Sequence, residues 1–362
     1  MMSLRYSDII KLRFLTLVFL FLSISTFISA QTSLITGQIN KYAKVTAVGS
    51  DNVTVDDVSD FAPGDTVMII QMAGVEINAS ATLPGNFQNV VGNPGAYEIL
   101  IISAINSGTR LVSFSRNLLY PAKLYDPLGK VQLVKVRSVS NAVVNSELTC
   151  TTWDSTTVRG GVLAFIVKGT LTLNANINVS GRGFKGGKVA QGSGYCQEND
   201  DSLRHYFYNI WSTASGYKGE GLGFRNSTGD PVYPDLARGK GVTLTGGGGG
   251  NGHYSGGGGG SNYGAGSSGD VEVSGCVFQY LGGNGGLALG TTPVSGGVFF
   301  GGGGGASVYT GTASTSAGGS GGGIVIILAD SIAGNGRVIS ANGAEPPANT
   351  ITTSGAGGGG GG

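Results

Sequence analysis

Short glycine tracts fill the C-terminal third of this chain and limit what it can fold into. They lie at residues 246–250, 256–260, 301–305, 321–323 and 357–362. In all, 43 of the 68 glycines fall in residues 246–362. Glycine has no side chain to bury and loses more backbone freedom on folding than any other residue. The region is therefore either disordered or held by backbone hydrogen bonds, and both alternatives favour a structural or surface protein over an enzyme.

Two structures are compatible with these tracts. One is a flexible glycine-rich linker. The other is a polyglycine II bundle, in which threefold extended helices rise about 3.1 Å per residue and bond laterally through N–H···O and Cα–H···O contacts. The residues between the tracts favour order, because a tether does not need aromatic side chains. These aromatic residues are Tyr254, Tyr263, Phe299, Phe300 and Tyr309.

The N-terminus has the layout of a secretory signal peptide. Arg5, Lys11 and Arg13 precede an apolar run over residues 14–28, and Ser29-Ala30 offers a cleavage site before Gln31. The run is short for a membrane span, although an uncleaved N-terminal anchor is the alternative. No later stretch is long and apolar enough to span a bilayer. Residues 1–30 therefore predict export to the cell surface or the extracellular space.

Composition argues against several classes of partner. Charged residues make up 12% of the chain and the formal net charge is +1, so nothing favours nucleic acid or an anionic membrane. Cys150, Cys196 and Cys276 are too few for a disulfide scaffold. In an oxidising compartment Cys150 and Cys196 could pair, or all three could be buried thiols. Their spacing does not support a zinc site.

Residues 31–150 predict a small N-terminal β domain. Short apolar or alternating runs at residues 45–48, 53–55, 67–72, 97–102, 111–114 and 131–136 read as strands. Turn residues such as Gly49-Ser-Asp-Asn52 separate them. No window has a convincing helical period, so the expected class is all-β.

Residues 151–345 predict a β-coil unit resembling a small solenoid. The passages 160–180 and 322–343 share a Gly-Gly start, an apolar run, a polar step and a strand that ends in small residues. Short strands at this spacing are typical of stacked β coils. An aromatic insert (195–240) and a glycine-rich insert (246–323) lie between the two passages. Residues 346–362 form a Gly/Thr-rich tail.

Motifs for catalysis or cofactor binding are not convincing. Residues 181–186 and 264–269 match GxGxxG, but no helix follows either match. His205 and His253 have no evident catalytic partner. Glu198, Asp200 and Asp201 form an acidic cluster that would need further oxygens to bind calcium, and a solvated turn is the plainer interpretation. We therefore expect no catalytic residue, no metal and no cofactor.

The aromatic insert is the best candidate for a recognition surface. Tyr206, Tyr208, Trp211 and Tyr217 lie in the densest aromatic stretch of the mature chain. Such rings stack on sugars or anchor protein contacts when a rigid scaffold carries them on loops. The alternative is that they form the local core of the insert.

Several motifs occur together in an order that resembles a known kind of protein. They are FAPGDTVMIIQM (61–72), GAYEI (95–99), VQLVKV (131–136), Trp153-Asp154 with GGVLAF (160–165), and GRGFKGG (181–187). The chain resembles the N-terminal part of large, uncharacterised, glycine-rich exported proteins of Bacteroidetes and related bacteria, which are adhesin-like. Such proteins often continue into repeats and a C-terminal sorting domain, so the resemblance implies a fragment or an early stop. The tracts are also similar to polyglycine II bundles of some phage tail-fibre adhesins and of anaplastic lymphoma kinase-type receptor ectodomains.

The expected function is therefore that of a secreted or cell-surface adhesin-like protein. It would be non-catalytic and would bind a surface component or a polysaccharide. A polysaccharide-active lyase or hydrolase on a β-solenoid is one alternative. A passive glycine-rich spacer without a ligand is the other.

Overall fold

The computed structural model describes residues 32–77, 87–119, 124–191, 215–227, 230–232, 237–250, 255–270, 282–294, 296–309, 317–347 and 357–362. Its regular elements are β-strands and two short 3-10 turns, at Pro127–Gly129 and Leu289–Thr291. The all-β class expected from the sequence is confirmed. Within the described residues no helix has the length and apolar character to cross a membrane.

The strands follow one another along the chain with few long gaps before residue 191. In chain order they are β1 (Thr32–Leu34), β2 (Gly37–Gln38), β3 (Lys41–Val48), β4 (Asn52–Val55), β5 (Thr66–Gln71), β6 (Val75–Ile77), β7 (Phe87–Val90), β8 (Tyr97–Asn106), β9 (Leu111–Phe114), β10 (Val131–Lys135), β11 (Arg137–Val139), β12 (Asn141–Val144), β13 (Leu148–Thr149), β14 (Val162–Leu173), β15 (Ile177–Asn178), β16 (Ala190–Gln191), β17 (Gly223–Ser227), β18 (Asp230–Val232), β19 (Val308–Tyr309), β20 (Ile324–Ala333) and β21 (Ile339–Ser340).

Six antiparallel strands close into a small barrel in the order β10-β3-β4-β9-β8-β5. Alternate residues of these strands point inward, as their sequence pattern predicts, and fill the interior with apolar side chains. Val45, Val53, Ile69, Val112 and Leu133 are fully buried there. Two minor sheets complete the pairing, β18-β17-β6-β7 and β16-β19.

Parallel strands form a four-coil solenoid beside the barrel. One ladder runs β1-β12-β14-β20 and the other runs β2-β13-β15-β21. The two passages that look alike in sequence are neighbouring coils, because Val162 lies opposite Ile324 and Asn178 lies opposite Ser340. The barrel is inserted between the first and second coils, and the glycine-rich region between the third and fourth.

This pairing crosses the expected domain boundary at residue 150. Strands β1, β2, β11, β12 and β13 lie within residues 31–150, yet they belong to the same parallel sheets as β14 and β15. The closed barrel itself spans residues 41–135. Residue 150 therefore lies between two coils of one solenoid.

Polar side chains connect successive coils at equivalent positions. The Asn174 amide donates to Asn145 Oδ1 of the preceding coil at 2.9 Å, and Asn335 Nδ2 donates to Asn174 Oδ1 at 3.2 Å. The hydroxyls of Thr170 and Ser331 lie 2.9 Å apart. Because each side chain bonds its equivalent one coil away, these contacts specify the register of the parallel strands.

Buried polar groups attach the barrel to the solenoid. Asn40 Nδ2 donates to the carbonyls of Lys135 (2.9 Å) and Ala164 (2.7 Å), and Asn40 Oδ1 accepts from the Ala164 N–H. The Tyr42 hydroxyl donates to the Val162 carbonyl at 2.8 Å. Since both side chains start on the barrel side and end on β14, the barrel is held in a defined position on the coil that carries the glycine-rich insert.

Candidate functional site: the glycine bundle and its flank

Residues 301–306 form the centre of a bundle of extended segments. Their six N–H groups donate in strict rotation to three neighbouring segments, with N···O distances of 2.8–2.9 Å. Gly301 and Gly304 donate to residues 318–323, Gly302 and Gly305 to residues 256–261, and Gly303 and Ala306 to residues 215–223. A repeat of three residues per neighbour is the signature of a threefold extended helix, the geometry of polyglycine II.

The carbonyl groups of the same tract reach three further segments. Gly302 and Gly305 accept from residues 357–362, Gly303 and Ala306 accept from residues 246–250, and Gly304 accepts from Gly187. The central tract is thus surrounded by six segments, three that accept from it and three that donate to it. The six N–H groups of residues 301–306 and the carbonyls of residues 302–306 are all paired with backbone groups, which is how a glycine tract can be ordered without side-chain packing.

Close packing leaves no room for a side chain at the five glycines of the central tract. A Cβ placed on Gly301, Gly302, Gly303, Gly304 or Gly305 would fall well inside van der Waals distance of a backbone carbonyl on a neighbouring segment. None of these five glycines has a positive φ. They are therefore required for the approach between segments and not for an unusual backbone conformation.

The bundle is larger than the insert expected from the sequence. Within residues 246–323, a Cβ placed on Gly247, Gly249, Gly257, Gly258 or Gly260 would likewise collide with a carbonyl of another segment. The tail tract also belongs to the bundle, because Gly357 N–H donates to Gly305 and Gly360 N–H donates to Gly302. Residues 183–187 and 215–223 contribute further segments from outside residues 246–323.

An aromatic cluster joins the bundle to the solenoid. Trp153, Phe184 and Phe300 are buried, with ring centroids 5.3–6.4 Å apart. Phe300 immediately precedes the central tract, and its ring lies against Gly161 at the start of β14, where a Cβ would collide with it. Gly161 also has a positive φ of 76°. Gly160 also has a positive φ, of 94°, and a Cβ there would meet the Thr152 carbonyl, so each glycine of the Gly-Gly start has its own reason.

Two charged side chains of the bundle segment 215–223 are buried. Glu220 Oε2 accepts from Trp153 Nε1 at 3.1 Å and from the Lys185 N–H at 3.0 Å. Lys218 Nζ donates to the carbonyls of Gly239 (2.8 Å) and Gly241 (2.6 Å), and burial lowers its pKa well below the usual lysine value. Both residues lie on segment 215–223, whose carbonyls accept hydrogen bonds from the N–H groups of Gly303 and Ala306. Their side chains therefore fix this segment of the bundle to its neighbours. Sequence reasoning did not single out either residue.

Tyr217 lies on the flank of the bundle, next to two cationic side chains. Lys188 Nζ is 4.5 Å and Arg238 Cζ is 4.3 Å from the centroid of its ring. Arg238 also donates to the Tyr217 hydroxyl at 2.8 Å, and the Tyr217 carbonyl accepts from the Ala306 N–H. Tyr217 is one of the four aromatic residues predicted to bind a partner, and a backbone hydrogen bond of the bundle holds its main chain in place. Lys188 and Arg238 lie 29 and 21 residues away in sequence, which is why sequence spacing could not group them with it.

Several residues that the sequence singled out, as candidate site residues or otherwise, fall outside the described part of the chain. They are Tyr206, Tyr208, Trp211, Cys196 and Cys276, together with Glu198, Asp200 and Asp201. Cys150 is a fully buried thiol in the solenoid core, and burial raises its pKa to about 12. Its predicted pairing with Cys196 stays a prediction. No group of three metal-ligating side chains occurs within the described ranges.

A groove of about 840 Å³ opens where the bundle meets the last coil of the solenoid. The apolar side chains of Val298, Phe299, Ile324 and Ile339 contribute to its lining. Tyr263 stands at its rim with 93% of its surface exposed. None of the described residues that line the groove has a charged side chain.

Comparison with known proteins gives little. No protein-family model matches the chain, and no curated protein matches it. Among solved structures, the tailspike protein gp49 from Pseudomonas phage LKA1 is similar at 13% identity and a TM-score of 0.19. That match covers 41% of this chain and 24% of the tailspike chain. At this TM-score the similarity carries no argument about function.

Proposed function

We propose that this chain is an exported, non-catalytic structural protein of the cell surface that acts in adhesion. The observation that carries the proposal is the central tract, which is hydrogen-bonded to six neighbouring segments. Such a lattice makes a stiff body that can carry the recognition residues of the aromatic insert. The signal-peptide layout of residues 1–30 supports export.

The chemistry at Tyr217 supports an acidic polysaccharide as the partner. Lys188 is exposed and lies beside an aromatic ring that the lattice holds in place. Carboxylate or sulfate groups of a polysaccharide would meet Lys188 and Arg238, while sugar faces would contact the aromatic residues of the insert. A fixed platform reduces the ordering entropy that binding must offset.

Binding and turnover of polysaccharides test the proposal together. The purified chain is offered polygalacturonate, alginate, heparin, dextran and laminarin, and bound protein and released reducing ends are both measured. We expect retention by acidic polymers, loss of affinity in Lys188→Ala, and no change in Lys168→Ala, an exposed lysine on β14. Release of new reducing ends would overturn the non-catalytic assignment in favour of a lyase or hydrolase. Failure to bind any polymer would leave the passive spacer as the better reading.

A further inference from the structure

Tyr217 and Arg238 are directly opposite residues of a very short antiparallel ribbon. Two backbone hydrogen bonds of 3.0 Å flank the pair, one from Lys218 N–H to the Ala237 carbonyl and one from Gly239 N–H to the Gly216 carbonyl. Facing side chains lie closest at such a non-hydrogen-bonded pair. The position of the Arg238 guanidinium 4.3 Å from the centroid of the Tyr217 ring therefore follows from the register of the ribbon.

Lys218 holds this ribbon from its buried face. It follows Tyr217 in the chain, so the alternation of an extended segment directs its side chain to the opposite face. Tyr217 is half-buried, whereas Lys218 is 1% exposed. The Lys218 Nζ donates to the carbonyls of Gly239 at 2.8 Å and Gly241 at 2.6 Å. Both acceptors belong to the segment that carries Arg238, one and three residues after it.

The two carbonyls lie where the backbone turns directly after Arg238. Gly239 has a φ of 94°, in the left-handed region. A two-stranded ribbon is marginally stable without further contacts, and here one residue pair forms it. The direction in which Arg238 leaves the backbone thus depends on a turn that Lys218 fixes. Methionine would fill similar space without the cost of burying an amine, so packing alone does not account for lysine at this position.

We propose that Lys218 is a positioning residue for the cationic site at Tyr217. It holds residues 237–241 so that the Arg238 guanidinium stays against the ring, where it would meet a carboxylate or sulfate of an acidic polysaccharide. Lys218 acts on the ligand only through Arg238, because its own side chain is buried. The role in binding rests on the proposed function, whereas the positioning of Arg238 does not.

NMR spectroscopy of the purified full chain tests the positioning without a ligand. The Arg238 side chain lies against an aromatic ring, so the ring current should shift its proton resonances upfield. Lys218→Met removes both side-chain hydrogen bonds to residues 239 and 241 and should abolish most of this shift. Glu220→Gln is the matched control on the same segment. The Glu220 side chain is also buried but accepts from Trp153 and Lys185, so this variant should keep the shift.

Lys218→Gln covers the case in which Lys218→Met does not fold. Its amide is a donor on a shorter side chain, and we expect it to reach at most one of the two carbonyls. The upfield shift of the Arg238 resonances should then be partly lost. Full retention of the shift in a folded Lys218→Met or Lys218→Gln variant would overturn the inference.

Affinity for an oligogalacturonate and for a heparin oligosaccharide tests the role in binding. Lys218→Met and Arg238→Gln should each weaken binding by about tenfold, the effect of losing one hydrogen bond to a charged group. The double variant should bind no more weakly than Arg238→Gln alone, because the two residues act as one unit. Additive losses would contradict the inference and would mean that Lys218 supports the bundle as a whole.

The two readouts separate this inference from the proposed function. An unaltered chain that binds neither oligosaccharide would refute the proposed acidic partner. The ring-current shifts of the Lys218 variants would still decide whether Lys218 positions Arg238. Binding by the unaltered chain that survives Lys218→Met at full strength would uphold the proposed function and overturn the inference.

Discussion

At the scale of single residues, the glycines of this chain do two different things. Those of the central tract allow backbones to approach, since an added Cβ would strike a neighbouring carbonyl. Others are exposed and have room beside them: nothing lies within 4 Å of a Cβ placed on Gly264. Identical letters in the sequence therefore differ in their structural role, and only the packing around each one distinguishes them.

Gly303→Ala is predicted to destabilise the protein, because its methyl group would meet the Lys185 carbonyl. Overpacking of a close-packed interior lowers the free energy of unfolding by about 1–3 kcal/mol. Gly264→Ala is the matched control and should be neutral or stabilising by about 0.4–1 kcal/mol, because alanine reduces the freedom of the unfolded chain. Urea denaturation measures both. Equal effects from the two substitutions would show that the lattice does not exclude side chains.

The Cys150 thiol is predicted to be unreactive in the native protein. Burial raises its pKa to about 12, so the reactive thiolate is almost absent at pH 8. Because the native pKa is raised, this group's stabilising effect is complete below the unfolded pKa of about 8.5 and is lost as pH rises through 12. A Cys196→Ser, Cys276→Ser variant leaves Cys150 alone to react with a thiol reagent. Labelling should follow unfolding, and rapid labelling of the folded variant would contradict the prediction.

At the scale of strands, how much the sequence foretold depended on the length of each element. The third and fourth coils could be recognised because β14 and β20 are long apolar runs with matching starts. The first two coils were missed because β1, β2 and β13 have two or three residues and carry no period. The barrel lies between these two coils in the sequence, so their pairing as neighbours is not evident from sequence spacing. Tyr217 was predicted as a site residue, whereas its cationic neighbours are brought to it only by the bundle.

The asparagine ladder offers a test at this scale. Asn174 bonds both Asn145 and Asn335, so Asn174→Ala removes two hydrogen bonds while Asn145→Ala or Asn335→Gly removes one. Glycine is used at position 335 because φ there is 48°, a conformation in which alanine is strained. Each bond contributes about 0.5–1.5 kcal/mol, and the exposed position favours the lower value. Thermal unfolding of the three variants should therefore show the largest loss of stability for Asn174→Ala. A larger loss for either terminal member would mean that the ladder does not act as a continuous set of contacts.

At the scale of the whole molecule, the barrel and the glycine bundle are two insertions in one solenoid. The barrel is inserted after the first coil and the bundle after the third. Phe300 of the bundle packs on Trp153 and lies against Gly161 at the start of β14. β20 begins directly after residues 318–323 of the bundle and pairs with β14 from Val162 onward, so the bundle and the last coil meet β14 at the same end. We therefore expect the solenoid and the bundle to unfold together, in one cooperative transition.

Amide hydrogen exchange tests this coupling. We predict that the amides of residues 303–305 exchange as slowly as those of β14, because opening the central tract requires displacement of the segments around it. Trp153→Phe removes one of the two hydrogen bonds that the buried Glu220 Oε2 accepts, and a hydrogen bond contributes about 0.5–1.5 kcal/mol to stability. The variant should accelerate exchange in both regions, whereas Tyr263→Phe, at an exposed ring, should alter neither. Tract amides that exchange at random-coil rates while β14 stays protected would mean a flexible tether, and the adhesion proposal would then lose its rigid platform.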